Sequence, residues 1–273
     1  SSVLLEKPTP ESLLETIERF RASVCFAAPV MYRGMAALAG DFDLSSLKKC
    51  VSAGEALPDA TRQAFKQATG IEIIDGIGST EMIHIFISHT PERVRRGATG
   101  YAIPGYKAAV LDEDGRPCAA GKVGRLAVKG PTGCRYLADE RQKSYVRNGW
   151  NITGDAYMAD SDGYFFYQAR TDDMIISAGY NIAGPEVESA LLLHPAVAEC
   201  GVIGWPDENR GTIVKAFVVL KAGNQKSEDT KKLLQEHVKK VIAPYKYPRA
   251  IEFVDALPRT ETGKLQRFKL RSA

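Results

Sequence analysis

Two runs of strand-forming residues, separated by a short polar segment, most constrain how this chain can fold. Residues 164–169 and 174–179 carry the runs, and Arg-Thr-Asp-Asp occupies residues 170–173 between them. A buried sheet does not tolerate such charged residues in its middle, so the chain must reach the surface there. Taken alone, the polar segment is typical of a solvated hairpin turn.

Length and composition indicate a soluble globular protein. With 273 residues, the chain is long enough for two domains and at least one large hydrophobic core. Its 44% hydrophobic and 25% charged residues are ordinary for such a protein. The net charge of +3 is too small and too dispersed to indicate a nucleic-acid partner. No run of about eighteen apolar residues is present, so we expect no membrane span.

The cysteines and the start of the chain bear on its compartment and its completeness. The five cysteines are scattered, without the paired spacing of metal ligands, which favours free thiols in a reducing compartment. The first residues show no secretory signal, and we therefore expect a cytoplasmic protein. The chain starts without Met, close to the apolar residues 3–5, so we expect it to be part of a longer protein.

Strands alternate with helices in the first part of the chain. Strand candidates lie at residues 23–28, 47–52 and 71–74, with helical patterns of about a dozen residues between them. This alternation predicts a parallel sheet covered on both faces. Ligands of such sheets bind beyond the carboxyl ends of the strands, where the glycine-containing loops 52–58 and 75–81 follow.

Each loop has a structural and a functional interpretation. A βα turn that uses glycine for its tight geometry is the simpler one. The functional interpretation is nucleotide binding. Glycines let the backbone approach a nucleotide, the Thr80 hydroxyl can contact a phosphate oxygen, and Glu81 offers a hard oxygen ligand for Mg²⁺. Beyond the second loop, His84 lies on an apolar segment, where a hydrogen-bonded core histidine is commoner than a ligand or a base.

The periodicity changes further along the chain. Between residues 97 and 167, short β runs alternate with turn signals, which predicts a small antiparallel barrel or sandwich. The last hundred or so residues mix helices and strands and are enough to fold separately. The predicted fold class is therefore α/β. It comprises a parallel-sheet subdomain at residues 1–96, a small antiparallel β-barrel at 97–169 and a separate α+β C-terminal domain at 170–273.

Four motifs identify a family when they are taken together. They are residues 150–155 (Trp-Asn-Ile-Thr-Gly-Asp), 170–173, 179–188 and 258–264 (Pro-Arg-Thr-Glu-Thr-Gly-Lys). In this order and approximate spacing they resemble the adenylate-forming superfamily of acyl-CoA and aryl-CoA ligases, adenylation domains and luciferases. The resemblance spans the whole chain but only the carboxy-terminal half or so of a complete enzyme.

The resemblance implies a reaction in two steps. A carboxylic acid attacks the α-phosphorus of ATP, and the thiol of CoA then displaces AMP from the acyl-adenylate. ATP, Mg²⁺ and CoA are thus the implied cofactors, and Glu81 is the implied metal ligand. The residues implied in catalysis are Lys264, Thr80 and Glu81. The residues implied in nucleotide binding are Gly54, Glu55, Ala56, Asp75, Gly76, Ile77, Thr80, Asp155, Tyr167 and Arg170.

The same resemblance implies a mobile C-terminal domain. Asp172 would be the hinge between a large and a small domain, and rotation about it would exchange the lysine for a surface that receives CoA. The residues implied in CoA binding are Ser177, Gly179 and Tyr180.

The substrate is suggested by one run. Residues 76–86, Gly-Ile-Gly-Ser-Thr-Glu-Met-Ile-His-Ile-Phe, are similar to benzoate-type CoA ligases, which implies an aromatic acid such as benzoate or 2-aminobenzoate. The implied pocket residues are Ile77, Gly78, Met82 and His84. Ile77 departs from the aromatic residue with which many members stack on adenine. A medium-chain fatty acyl-CoA ligase shares nearly every motif, and a non-catalytic module that binds AMP or ATP is the alternative from another class.

One family motif is absent from this sequence. The Ser/Thr/Gly-rich phosphate loop that ends in a lysine belongs upstream of the residues present here. We therefore expect the amino-terminal half of the same enzyme to be missing and the chain alone to be inactive.

Overall fold

The computed structural model describes residues 1–171, 173–208, 210–261 and 263–271. The chain forms two compact units, Ser1–Tyr167 and Gln168–Ala273. Within the described residues no helix is long and apolar enough to cross a membrane.

The helices are α1 (Pro10–Phe20), α2 (Pro29–Leu38), α3 (Asp59–Thr69), α4 (Arg141–Tyr145), α5 (Gly184–Leu192), α6 (Glu228–Val241) and α7 (Arg267–Leu270). The strands of the first unit are β1 (Val24–Ala27), β2 (Lys49–Ser52), β3 (Ile73–Gly78), β4 (Ile85–Ser88), β5 (Tyr101–Ala102), β6 (Lys107–Leu111), β7 (Val123–Lys129), β8 (Val146–Arg147) and β9 (Trp150–Ala159). The remaining strands are β10 (Phe165–Arg170), β11 (Ile175–Ser177), β12 (Tyr180–Ile182), β13 (Val197–Asp207), β14 (Gly211–Leu220) and β15 (Ala250–Phe253).

The first sheet has the order β1-β2-β3-β4-β5. Strands β1, β2 and β3 are parallel, which confirms the prediction for this part of the chain. Strands β4 and β5 are antiparallel to their neighbours, so the sheet as a whole is mixed. The short 3-10 helix Thr80–Met82 reverses the chain after β3, and this reversal sets the antiparallel direction of β4.

Helices α1 to α3 pack on one face of the parallel strands. Thr9 caps α1, because its side chain accepts a hydrogen bond from the backbone N–H of Ser12. The core of this region contains residues of the three helices together with strand residues that face them, such as Cys25 of β1 and Cys50 of β2. On the opposite face of β1, Val24 and Phe26 remain 43% and 63% exposed. The predicted coverage of both faces is therefore wrong for β1 in the described chain.

The second sheet of the first unit is open. Its path is β10-β9-β7-β6, with β8 paired to β9, and no pairing among the described residues closes it. The predicted β-barrel is therefore wrong, and an antiparallel sheet stands in its place. Four main strands are too few, because a closed barrel filled by its own side chains needs about eight. One face of this sheet contributes Val110, Leu126 and Val128 to a core that also contains Met82 and Phe86.

The second unit is an α+β structure, as predicted. Strands β13, β14 and β15 form its sheet, and α5 and α6 contribute Val187, Leu191, Leu234 and Val238 to its core. Helix α6 starts at Glu228. The Ser227 side chain accepts a hydrogen bond from the N–H of Thr230 and caps the helix there.

The strands on either side of residues 170–173 do not pair with each other. Strand β10 pairs in the four-stranded sheet, whereas β11 pairs with β12 in a separate sheet of two strands. The hairpin interpretation is therefore wrong. Asp173 donates its backbone N–H to the carbonyl of Arg170 at 3.0 Å, and its carboxylate pairs with Arg271. The predicted hinge, Asp172, lies outside the described residues.

Candidate functional site

Two buried polar side chains lie side by side at the carboxyl end of the parallel strands. Ser52 of β2 and Asp75 of β3 are paired in register, so their side chains project from the same face of the sheet. Ser52 is fully buried and Asp75 is 8% exposed. Within the described part of the chain, Ser52 Oγ and Asp75 Oδ1 have no hydrogen-bond partner. Burial raises the pKa of the Asp75 carboxyl well above its ordinary value. A polar group of a ligand would satisfy both atoms.

Strand β3 continues further than the sequence predicts. It extends to Gly78, so the first half of the predicted loop 75–81 is strand. A Cβ atom at Gly78 would lie 2.4 Å from the carbonyl oxygen of His84, and one at Gly76 would lie 2.9 Å from a methyl carbon of Ile85. Both glycines therefore allow β4 to approach β3. This is a structural role that the sequence did not distinguish from nucleotide contact.

A histidine fixes the backbone of Asp75. The N–H of Asp75 donates to Nε2 of His89 at 3.0 Å, and His89 Nδ1 lies 3.0 Å from the carbonyl oxygen of Thr90. Since Nε2 accepts, the ring is neutral with its proton on Nδ1. Burial lowers the pKa of His89, which agrees with the neutral form. The sequence did not single out His89.

Glu81 lies in the 3-10 helix Thr80–Met82 directly after β3. Its carboxylate is half-buried and accepts a hydrogen bond from the Tyr136 hydroxyl at 2.6 Å. This bond lowers the pKa of Glu81 and raises the pKa of Tyr136 to about 12. Glu81 is thus an ionised carboxylate whose oxygens can serve as ligands of a metal ion. Thr80, the preceding residue, is exposed. In the described chain no three His, Cys, Asp or Glu residues form a metal cluster, and one carboxylate suits Mg²⁺ held mainly by substrate phosphates.

Helix α4 and the residues before it surround Tyr136. The Arg141 guanidinium lies 4.7 Å from the centre of the Tyr136 ring, and the Tyr145 ring meets it edge-on at 5.4 Å. The side chain of Gln142 accepts the N–H of Tyr136 at 2.8 Å. Sequence reasoning missed this group. Its only signal was a close spacing of aromatic and basic residues, which says nothing about the distant Glu81.

Asp155 lies in a bulge of β9. Ile152 pairs with Ala127 and Ala156 pairs with Arg125, so residues 153–155 oppose the single residue Leu126 of β7. Gly154 has a φ of 78°, which favours glycine. The Thr153 hydroxyl donates to the carbonyl of Leu126 at 3.2 Å and accepts the N–H of Asp155 at the same distance. Although Gly-Asp pairs are common in turns, this pair lies inside a strand.

Three of the predicted nucleotide-binding residues lie near Tyr157. Its ring is buried and meets the Tyr167 ring edge-on at 5.5 Å. Burial raises the pKa of Tyr157, as does the charge of Asp155, and an ionised Asp75 would raise it further. Asp75, Asp155 and Tyr167 therefore lie near one buried tyrosine that the sequence did not indicate.

The other predicted nucleotide and substrate contacts of the first unit lie near the ends of β2 and β3. Gly54, Glu55 and Ala56 follow β2 almost directly, and Gly54 has a φ of 96°. Ile77 is half-buried against the core that contains Met82, and Met82 is fully buried. The His84 side chain is exposed, so its interpretation as a core histidine is wrong.

The predicted CoA contacts form a tight hairpin in the second unit. Ser177 pairs with Tyr180 across Ala178 and Gly179, which have φ angles of 48° and 82°. Positive φ at both central residues is typical of a two-residue hairpin turn. The Tyr180 ring is 56% exposed and lies 4.6 Å from the ring of Tyr245, which the sequence did not indicate.

Lys264 lies in a loop of the second unit and is exposed. Its carbonyl accepts the N–H of Thr260 at 2.9 Å, and its N–H donates to the Thr260 hydroxyl at 3.0 Å. Arg170 ends β10 and is also exposed. Both residues belong to the second unit, so their convergence with Glu81 and Asp155 stays a prediction.

Comparisons with known proteins identify relatives along the whole chain. Residues 1–136 match the family described as AMP-binding enzyme, and residues 186–264 match the AMP-binding enzyme C-terminal domain. Benzoate–CoA ligase of Thauera aromatica is 42% identical over 99% of this chain and 52% of its own length. The chain spans about half the length of the curated relatives it matches.

Solved structures give the same relationship. The anthranilate CoA ligase AuaEII in complex with anthranoyl-AMP has a TM-score of 0.91 and 44% identity, covering 96% of this chain and 52% of its own. A benzoate CoA ligase from Burkholderia xenovorans LB400 has a TM-score of 0.88 and 39% identity, covering 97% and 54%.

Proposed function

Because this chain belongs to the adenylate-forming superfamily of AMP-binding enzymes, we propose that it is the carboxy-terminal half of an ATP-dependent acid–CoA ligase. The proposed substrate is an aromatic acid of the benzoate or 2-aminobenzoate type. The observation that carries the proposal is that Asp155 and Asp75 lie near Tyr157, whose ring packs against Tyr167, in the unit that also holds the ionised Glu81. The names of the relatives, benzoate–CoA ligase and anthranilate CoA ligase, support the choice of acid.

The residues of the first unit are suited to hold a nucleotide. Asp155 offers two acceptor oxygens, which match the two hydroxyls of a ribose. Asp75 Oδ1 and Ser52 Oγ, both buried without a partner in the described chain, offer hydrogen bonds to the polar edge of a base. Residues 54–56 and Ile77 would flank that base, and Tyr167 would contact the nucleotide. Arg170, a residue of the second unit, is proposed to bind the same nucleotide. Ile77 provides an apolar surface but no aromatic stacking.

In the first step a carboxylate must approach an anionic triphosphate. Repulsion between these two negative groups opposes the step unless their charge is neutralised. Glu81 would hold Mg²⁺, which reduces the phosphate charge when it is bound. The hydrogen bond from Tyr136 keeps the Glu81 carboxylate ionised and oriented for that role. Thr80 would donate its hydroxyl to a phosphate oxygen. The acid would be bound by residues near Ile77, Gly78, Met82 and His84.

The second unit would serve both steps. Lys264 is a compact cation on a flexible stem, suited to contact the attacking carboxylate and the α-phosphate. The thioester step would follow a rotation at Asp172, after which Ser177, Gly179 and Tyr180 flank CoA. The division at residues 96 and 169, the hinge and the mobility of this domain are parts of the proposal.

An assay of acids tests the function. A complete enzyme, meaning this chain preceded by the amino-terminal half that the proposal requires, is expected to release AMP with benzoate or 2-aminobenzoate, ATP and CoA. Medium-chain fatty acids are the comparison substrates, and the chain alone is the control, expected to be inactive. Higher kcat/KM for fatty acids would contradict the aromatic assignment. Acyl-CoA formation by the chain alone would contradict the requirement for the other half.

A further inference from the structure

The loop that carries Lys264 is anchored by an arginine. Arg259 donates from Nη2 and Nε to one carboxylate oxygen of Glu199, at 2.8 and 3.2 Å. Its third donor group, Nη1, reaches the carbonyl oxygen of Gly263 at 2.6 Å. Gly263 directly precedes Lys264, so one guanidinium connects strand β13 to the backbone from which the lysine projects.

Backbone hydrogen bonds complete this arrangement. The N–H of Gly263 donates to the carbonyl of Thr260 at 2.9 Å, and Arg259 pairs with Leu265 as an isolated β-bridge. Gly263 has a φ of 86°, a conformation open to glycine and strained for other residues. Its carbonyl direction is thus set by the glycine conformation and by the Arg259 bond together.

A second arginine–glutamate pair lies close by in sequence but joins other elements. Arg267 donates from Nη2 to both oxygens of Glu188 at 2.8 Å and so ties α7 to α5. Glu188 also accepts the N–H of Val202 at 2.8 Å. The arginine side chains of the two pairs are similarly exposed, 23% for Arg259 and 21% for Arg267. Removing the Arg267 pair breaks a similar ion pair but leaves the Arg259–Gly263 hydrogen bond intact. It is therefore a matched control for removing Arg259.

We propose that Arg259 is a positioning residue for Lys264. Through the Gly263 carbonyl it fixes the origin and direction of the lysine side chain, with Glu199 holding the guanidinium in place. The role requires a planar guanidinium, whose several N–H groups can bind Glu199 and the Gly263 carbonyl at the same time. A lysine at this position would supply one point charge and could not hold both partners in the same geometry. The proposal rests on the proposed function, in which Lys264 acts in adenylate formation.

The first test separates the two half-reactions of the complete enzyme. Arg259→Ala is expected to slow adenylate formation by roughly 10²-fold, the cost of misplacing a reacting group by about 1 Å. KM for ATP and thioester formation from a supplied acyl-adenylate should not change. Added ethylguanidinium should restore part of the lost rate. Arg267→Gln, the matched control, should keep the parent rate. Equal rates for Arg259→Ala and the parent, or equal losses in both variants, would overturn the proposal.

The second test needs no activity. Hydrogen exchange of the 273-residue chain should become faster at the amides of Thr260, Gly263 and Lys264 in Arg259→Ala but not in Arg267→Gln. Unchanged exchange at these amides would contradict the anchoring. Glu199→Gln is the milder variant if Arg259→Ala does not fold, because it keeps the bond to Gly263, and it should give a smaller change of the same kind.

Lys264→Ala distinguishes failure of the inference from failure of the function. If adenylate formation survives in Lys264→Ala, the proposed role of the lysine fails, whatever Arg259 does to the loop. If Lys264→Ala abolishes the step and Arg259→Ala leaves it intact, only the positioning role fails.

Discussion

Asp75 is a carboxyl group in surroundings that disfavour its charge. It is 8% exposed, and one of its oxygens has no hydrogen-bond partner within the described chain. Burial raises its pKa in the folded protein, so the neutral acid is the form that the fold accommodates. A neutral carboxyl can both donate and accept hydrogen bonds, which suits recognition of a base edge better than an anion would.

Asp75→Asn tests this protonation state. Because the folded pKa of Asp75 is raised, the parent protein loses stability as pH rises from the unfolded pKa, near 4, towards the folded value. Each unit of the rise corresponds to about 1.4 kcal/mol. The amide cannot ionise, so the variant should gain in free energy of unfolding relative to the parent between pH 4 and pH 8. Urea unfolding at both pH values measures this difference.

An exposed aspartate provides the control. Asp114 is 73% exposed, and Asp114→Asn should leave the pH dependence of unfolding unchanged. If Asp75→Asn destabilises the protein equally at pH 4 and pH 8, the carboxyl is not held neutral by the fold.

At the scale of elements, a histidine that follows α5 meets a histidine of α6. The rings of His194 and His237 lie 5.0 Å apart, nearly perpendicular. His237 Nε2 donates to the carbonyl oxygen of Ala190 at 3.0 Å, and His194 Nδ1 accepts the N–H of Ala196 at 3.2 Å. Protonation of His194 at Nδ1 would replace this acceptor with an N–H donor that faces the N–H of Ala196. Burial, and then the charge of His237, lower the pKa of His194.

This contact predicts a loss of stability in acid. A lowered pKa means that the unfolded chain binds the proton more tightly, so the second unit should lose stability as pH falls from about 6.5. The loss should be under about 1 kcal/mol because solvent screens a half-exposed pair. His194→Gln should reduce it. Hydrogen exchange of α5 and α6 amides at pH 7 and pH 5 measures the effect, and His84→Gln, in the other unit, is the control. An unchanged pH dependence in His194→Gln would contradict the assignment.

At the scale of the whole molecule, local patterns in the sequence predicted what local forces decide. The parallel strands β1 to β3 and the α+β character of the second unit depend on short-range propensity and periodicity, and both were predicted. The open sheet and the separate partners of β10 and β11 depend on which strands pair at long range, which periodicity does not encode. The predicted barrel, and the hairpin interpretation of residues 170–173 taken alone, fail for that reason.

The candidate site divides in the same way. Glu81, Asp75 and Asp155 carry chemistry that is visible in the motifs, and family resemblance supplied their roles. The residues that support them are invisible in sequence because they come from elsewhere in the chain. Tyr136 lies 55 residues from Glu81, and Glu199, which holds Arg259 beside Lys264, lies 60 residues before that arginine. The glycines of β3 show the reverse case, because their motif suggested a ligand while their packing also serves strand pairing.

The central claim is that the first unit binds the ribose of an adenylate through Asp155. The most direct test is a cycle of four binding constants, measured by calorimetry with a complete enzyme and a non-hydrolysable benzoyl-adenylate analogue. The parent and Asp155→Ala are each titrated with the analogue and with its form lacking both ribose hydroxyls. We predict that removing the hydroxyls weakens binding to the parent by roughly 10- to 100-fold, the worth of hydrogen bonds to a charged group, and does not weaken binding to Asp155→Ala. An equal loss in both proteins would contradict the account.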